Sequence, residues 1–166
     1  EDMSIKVKGL LHDKEYVLSE TKPADGYTTA TDISFMLKLK MDEAKYSTQV
    51  FIKNGDEFIE ANPNKVVMYD DTTKVEFSKT NITGEKEVPG CELEVTDKET
   101  GEVTDHWIST KYKHVVEGKY AVGKTYVFTE KRPADGFVTA GSVEFTVSDT
   151  GEIQKVSMKD DTTKIE

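Results

Sequence analysis

A single cysteine, Cys91, and a single arginine, Arg132, occur among the 166 residues. One cysteine excludes an intramolecular disulfide, so an extracellular fold of this size would need another means of closure. Cys91 opens the stretch CELEVTD, where Cys91, Leu93 and Val95 alternate onto one face. That pattern predicts a small buried apolar side chain rather than a reactive thiol, because no base stands beside it in the sequence. Basic residues are outnumbered, 22 Lys and Arg against 32 Asp and Glu, for a formal net charge of −10. This balance argues against a nucleic-acid partner, whose phosphates require a basic patch. Long apolar runs are also missing, and no segment has the roughly 18 apolar residues that insert as a membrane helix. No leader or sorting tail is legible, and the sequence reads as a fragment whose targeting signals lie elsewhere. His12, His106 and His114 lack ligand spacing, and Asp97, Glu99 and Asp105 in DKETGEVTD lack the spaced loop of a calcium site. No metal and no cofactor is expected, and no Ser-His-Asp set or phosphate loop points to an enzyme.

What the chain has instead is a phrase written twice. SETKPADGY at 19–27 returns as TEKRPADGF at 129–137, and YDDTTKVE at 69–76 returns as KDDTTKIE at 159–166. Proline and glycine make the first phrase a turn, but a turn does not explain Glu20 and Glu130 just before it. The glutamates are offset by 110 residues (130 − 20) and the aspartates by 90 (160 − 70), so the first copy carries 20 more residues between its landmarks. The excess falls in 37–64, which reads as an elongated hairpin turning at Asn54-Gly55. The boundary between units lies at DDTTK, giving 1–73 and 74–166.

Period-two alternation dominates both units: TYVFTE, SVEFTVSD, TKVEFSK and DISFMLKLK are rich in Val, Phe, Tyr and Thr and are separated by Gly-bearing turns. No stretch sustains a helical period. The expected fold is all-β, as tandem immunoglobulin-like sandwiches with the first one truncated.

The same alternation places three ionisable residues on apolar faces. Lys79 follows Val75 and Phe77, Glu130 follows Tyr126 and Phe128, and Asp160 follows Val156 and Met158. A buried charge without a partner costs several kcal/mol, so such a cluster must satisfy itself or react. Desolvation favours neutral amines and neutral carboxylic acids. A neutral amine is a nucleophile, a carboxylic acid held against it is an electrophile, and a second carboxyl can carry protons between them. The product of that chemistry is an amide, with loss of water.

The segments KVEFSKTNITGEKEVPGCELEVTDKETGEV, HWIS, GKTYVFTEKRPADGFVTAGSVEFTVSDTGEI and VSMKDD together resemble the CnaB (collagen-adhesin B-type, SpaA-like) domains of Gram-positive surface proteins and pilins. The resemblance covers 74–166. It implies a self-formed isopeptide bond between first and last strands, Lys79 to Asp160, promoted by Glu130. In the first unit Glu20 and Asp70 occupy the corresponding positions, following Tyr16 and Leu18 and following Val66 and Met68, so both should point inward. The matching lysine would precede Glu1, and Lys79 belongs to the next unit. The implied function is a structural stalk or pilin module of a surface adhesin, extracellular and anchored to the cell wall through other parts of the parent protein. Its partners would be neighbouring CnaB-like domains of the same polypeptide, and a host surface protein through a distal domain. The alternative is a host-ligand-binding module using the sandwich or the 37–64 hairpin. Tyr46, Phe51 and Phe58 alternate there as sheet packing would. Bond formation would be a single turnover, not enzymatic catalysis.

Only the second unit holds amine, acid and proton carrier together. Tandem mass spectrometry of a digest should therefore find one crosslinked peptide, joining Lys79 to Asp160. A crosslinked peptide containing Asp70 would contradict this asymmetry.

Overall fold

The computed structural model describes residues 4–164, and every regular element among them is a strand. Two compact units form, one of residues 4–21 and 30–70, the other of 22–29 and 71–164.

In the first unit, β1 (Glu15–Leu18), β2 (Ile33–Asp42), β3 (Lys45–Asn54) and β4 (Glu57–Glu60) make one antiparallel sheet in that order. The 37–64 excess is therefore a meander with two turns rather than one hairpin. Its second turn has Gly55 at φ 62° and closes the pair Asn54–Glu57, one residue later than the Asn-Gly dipeptide suggested. Its first turn holds Glu43 and Ala44 at φ 43° and 73°. Two successive positive φ values match the twist of a tight hairpin, normally supplied by Asn or Gly. The stretch DEAK contains neither, so the turn left no mark in the sequence. Phe35 pairs with Ile52 and Leu37 with Val50, but all four are only half-buried. Among the described residues of this unit, Ala30 and Ala61 are the only buried apolar ones.

The second unit packs two sheets face to face. Its strands are β5 (Lys74–Asn81), β6 (Glu92–Asp97), β7 (Val103–Ile108), β8 (His114–Glu117), β9 (Thr125–Arg132), β10 (Val143–Thr146) and β11 (Ile153–Asp160). One sheet runs β10-β9-β6-β7, the other β11-β5-β8. Alternation builds the core directly: inward positions supply Val75, Phe77, Leu93, Val95, Tyr126, Phe128, Val156 and Met158, all buried. Phe77 is the centre of this layer, with ring centroids of Phe128, Phe145, Trp107 and Tyr120 within 5.1–5.8 Å. Burying a ring of that size contributes about 1.5–3 kcal/mol. Trp107 stacks on Phe128 and His114, so it packs, as its place in a strand suggests. Every strand pair is antiparallel except β5 with β11, the first and last strands of the unit, which run parallel.

The repeated phrase folds the same way twice. In one copy Tyr27 bridges to Thr72, Thr28 N–H donates to Asp71 O (2.8 Å) and Thr73 N–H to Gly26 O (2.9 Å). In the other, Phe137 bridges to Thr162, Val138 N–H donates to Asp161 O (3.0 Å) and Thr163 N–H to Gly136 O (2.9 Å). These bonds tie 22–29 to 71–73, which is why that segment groups with the second unit although the repeat boundary lies at 73/74. Gly26 and Gly136 both need positive φ, 86° and 87°. They differ in surroundings, because a Cβ on Gly26 would collide with the Gly118 carbonyl while one on Gly136 meets nothing.

Gly136→Ala should thus incur only the left-handed penalty, about 1–2 kcal/mol. Gly26→Ala adds a backbone clash and should lower the melting temperature further. Equal losses in thermal denaturation would contradict the packing difference.

Candidate functional site

Lys79, Glu130 and Asp160 meet inside the second unit. The parallel register sets Lys79 of β5 opposite Met158 of β11, with Asp160 one pleat further along on the same face. The lysine side chain crosses that diagonal, and its Nζ is in direct contact with Asp160 Oδ1. Glu130 comes from the facing sheet on β9, and its Oε1 lies 3.1 Å from Nζ. All three side chains are shut away from solvent, at 1% exposure or less. One cation and two anions thus share a dry space lined by the aromatic core.

Each carboxyl uses its two oxygens differently. Glu130 Oε2 accepts the Ala140 N–H at 2.7 Å, pinning the chain that returns from the PADGF turn. Among the described residues its Oε1 has no donor in hydrogen-bond geometry, since Nζ approaches within ion-pair range but off the line a hydrogen bond needs. A desolvated carboxylate oxygen without a donor is a ready proton acceptor. Asp160 Oδ1 meets the lysine, while Oδ2 lies 3.7 Å from Cys91 Sγ. Burial pushes the Asp160 carboxyl above its ordinary 3.8; the Lys79 ammonium opposes this and the Glu130 charge reinforces it.

The backbone around Lys79 is held as tightly. Its N–H donates to Glu87 Oε2 (2.9 Å), its carbonyl accepts Val88 N–H (2.7 Å), and Ser78 Oγ donates to Glu87 Oε1 (2.5 Å). The turn after β5 therefore folds back over the strand that carries the lysine. Sequence reading missed Glu87, whose place among charged loop residues carries no signal. It also missed the contact of Cys91 with Asp160. Alternation marked Cys91 as inward, but its neighbour lies 69 residues away.

The other candidates have structural surroundings. Cys91, Glu130 and Asp160 offer ligand atoms within 4.8 Å of one another, yet the lysine ammonium already supplies the positive charge there. Asp97 accepts Glu99 and Thr100 N–H groups and shapes its own hairpin. Burial raises the Asp105 carboxyl, but hydrogen bonds from His114 and Lys119 outweigh it and hold the group below its ordinary range. In the first unit Glu20 is half-buried, and its Oε2 accepts Ala30 N–H at 2.8 Å, as Glu130 does with Ala140. Asp70 is exposed and lies outside any strand. The expected pair of inward carboxyls is thus not formed in this unit, because among the described residues no strand pairs with the segment before Asp70 to hold its alternation.

A β-sandwich whose first and last strands run side by side, with a lysine and two carboxyls buried where they meet, defines the structural class. The family described as SpaA, a prealbumin-like fold domain, matches residues 73–162, and the chain belongs to it. Among solved structures, the shaft pilin SpaA of Lactobacillus rhamnosus GG is similar at 16% identity, with 92% of this chain and 66% of that one covered and a TM-score of 0.47. The Bacillus anthracis TIE protein is similar at 13% identity, covering 86% of this chain and 32% of that one, with a TM-score of 0.47. The group B streptococcus pilus 2b backbone protein shows 11% identity over 74% of this chain and 53% of its own, with a TM-score of 0.44. No curated protein matches.

Replacing Lys79 with methionine leaves Glu130 and Asp160 buried without a cation, which should cost about 3–5 kcal/mol. It also removes what lowers the Asp160 pKa. An acid whose pKa is raised by folding contributes stability that is full below its ordinary value and lost as pH rises through the folded value. The stability deficit of Lys79→Met against the parent should therefore be largest near neutrality and shrink as pH falls toward the ordinary aspartate range. A deficit independent of pH in thermal denaturation would contradict the burial of an unpaired Asp160 carboxyl.

Proposed function

We propose that the second unit is a covalently locked structural module of a Gram-positive surface stalk or pilus, closed by an isopeptide bond between Lys79 and Asp160. The observation that carries this reading is the contact of Lys79 with Asp160 in a dry core, beside a Glu130 oxygen that has no donor. Within the pair, a proton passes from ammonium to carboxylate, leaving a neutral amine against a carboxylic acid. Nζ adds to Cγ of Asp160. Glu130 Oε1, 3.1 Å away, takes a proton from the nitrogen and returns it to the departing oxygen. One C–N bond forms, one C–O bond breaks, and one water leaves; nothing is oxidised or reduced. Fixed contact replaces the activation that amide formation normally needs, since oriented neighbours reach effective molarities of about 10⁵–10⁸ M. Each lysine reacts once, so the unit is not an enzyme in the turnover sense.

The bond would suit a load-bearing role. It closes a loop of about 80 residues, for which chain entropy gives about 4–5 kcal/mol of stabilisation. Kinetics matters more, because forced unfolding is governed by a rate. Tension entering at β5 and leaving at β11 passes through the amide, and the strands between feel none of it. In this reading the module works outside the cell, joined to neighbouring domains of its own polypeptide and anchored through other parts of the parent protein. A distal domain would meet the host.

Single-molecule pulling from the two ends tests this. The parent should never release the segment between Lys79 and Asp160, about 270 Å of extended chain at 3.3–3.6 Å per residue. Glu130→Gln keeps the side-chain shape but loses the proton acceptor, and it should release that length. Full extension of the parent would contradict the lock.

A further inference from the structure

We infer that Cys91 is a positioning residue for this reaction: its thiol determines which oxygen of Asp160 remains as the amide carbonyl and which departs as water. The inference rests on the reading of the site as amide-forming. Cys91 is fully buried, and its Sγ lies 3.7 Å from Asp160 Oδ2, the oxygen not in contact with Lys79. Two acceptors meet hydrogen-bond geometry with the thiol, the other being Val88 O at 3.8 Å, and the Glu130 carboxylate lies within 4.8 Å of Sγ. Val88 O already receives the Ser109 hydroxyl at 2.7 Å, a stronger donor. Oδ2 is the shorter of these two thiol contacts, and the thiol proton is assigned to it. Ser109 also holds Cys91 in place, since its Oγ accepts Cys91 N–H and its own N–H donates to Cys91 O, both at 2.8 Å. Burial pushes the thiol up to about 11, so at neutral pH it is a donor and not a nucleophile.

The consequence for the reaction is directional. With Oδ2 accepting from sulfur, the acid proton of Asp160 resides on Oδ1, beside the lysine and Glu130. When Nζ adds to Cγ, the carbonyl electron pair moves onto Oδ2, where the S–H group faces the developing negative charge. Collapse restores the C–Oδ2 double bond and expels Oδ1 as water, carrying the proton relayed by Glu130. Cys91 keeps its proton throughout and ends as donor to the amide oxygen. A donor aimed at a developing oxyanion is worth about 10²–10³ in rate when it is an amide, and a thiol is a weaker donor.

The full chain made by cell-free translation, with samples denatured at intervals and weighed intact, reports the loss of water over time. Cys91→Ala and Cys91→Val should each slow it by about tenfold, because neither side chain can donate. Cys91→Ser should restore most of the rate, because a hydroxyl donates from the same place. The same substitutions on a Glu130→Gln background, where no bond forms, give melting temperatures that report packing alone. Alanine or valine variants that lose water as fast as the parent would overturn the role. A serine variant as slow as they are, with an equal melting temperature, would do so too. These failures concern Cys91 alone, whereas a parent chain that never loses water would overturn the isopeptide bond itself and this role with it.

Discussion

A lysine ammonium in a protein core cannot be left alone, and much of the second unit is arranged around that constraint. Taking such a charge out of water costs several kcal/mol even after the protein relaxes. Here two carboxyls from opposite sheets approach the same nitrogen, which is one more negative charge than pairing needs. The excess makes the cluster uncomfortable as a salt bridge, and in the proposed reading it is what drives the condensation. Proton transfer would remove one ion pair, and condensation would remove it permanently. The surrounding structure serves that contact. Parallel pairing of β5 with β11 aligns lysine and aspartate, the Glu87 turn covers the lysine's backbone, and the PADGF turn is anchored by Glu130 itself.

The repeated phrase separates two duties of its glutamate. In both copies one carboxylate oxygen holds a backbone N–H ten residues on, at 2.8 Å in one and 2.7 Å in the other. The aromatic pair beneath it is also reproduced: Tyr16 on Phe35 and Tyr126 on Phe145 both stack at 5.7 Å, with interplanar angles of 29° and 27°. Anchoring the turn is therefore the shared task and explains why the phrase keeps its glutamate. Facing a buried amine is the additional task, and only Glu130 has one to face. The first copy shows the anchored turn without the buried amine.

Period-two alternation makes the site legible in the sequence itself. Lys79, Glu130 and Asp160 each continue an apolar face, and a β-strand converts that spacing into inward direction without help from the rest of the fold. The rule fails where no partner strand enforces it. Asp70 follows Val66 and Met68 in the same pattern, yet its segment is unpaired and the carboxyl is exposed. Turns are legible only when written in glycine, so the Glu43-Ala44 reversal leaves no signal and a meander reads as one hairpin. Contacts set by sheet packing are out of reach altogether. Alternation places Cys91 inward but cannot say that the facing group is Asp160, nor that Glu87 turns back onto Lys79.

The lock stands or falls with the covalent state of Lys79 and Asp160, and the intact mass of the fully denatured chain reports it most directly. Denaturation removes every non-covalent contact, so only a bond can change the mass. The predicted mass is one water below that of the sequence, with the full mass restored in Lys79→Met. A parent chain at the full sequence mass would show that the lysine and the aspartate are merely paired, and the lock would not exist.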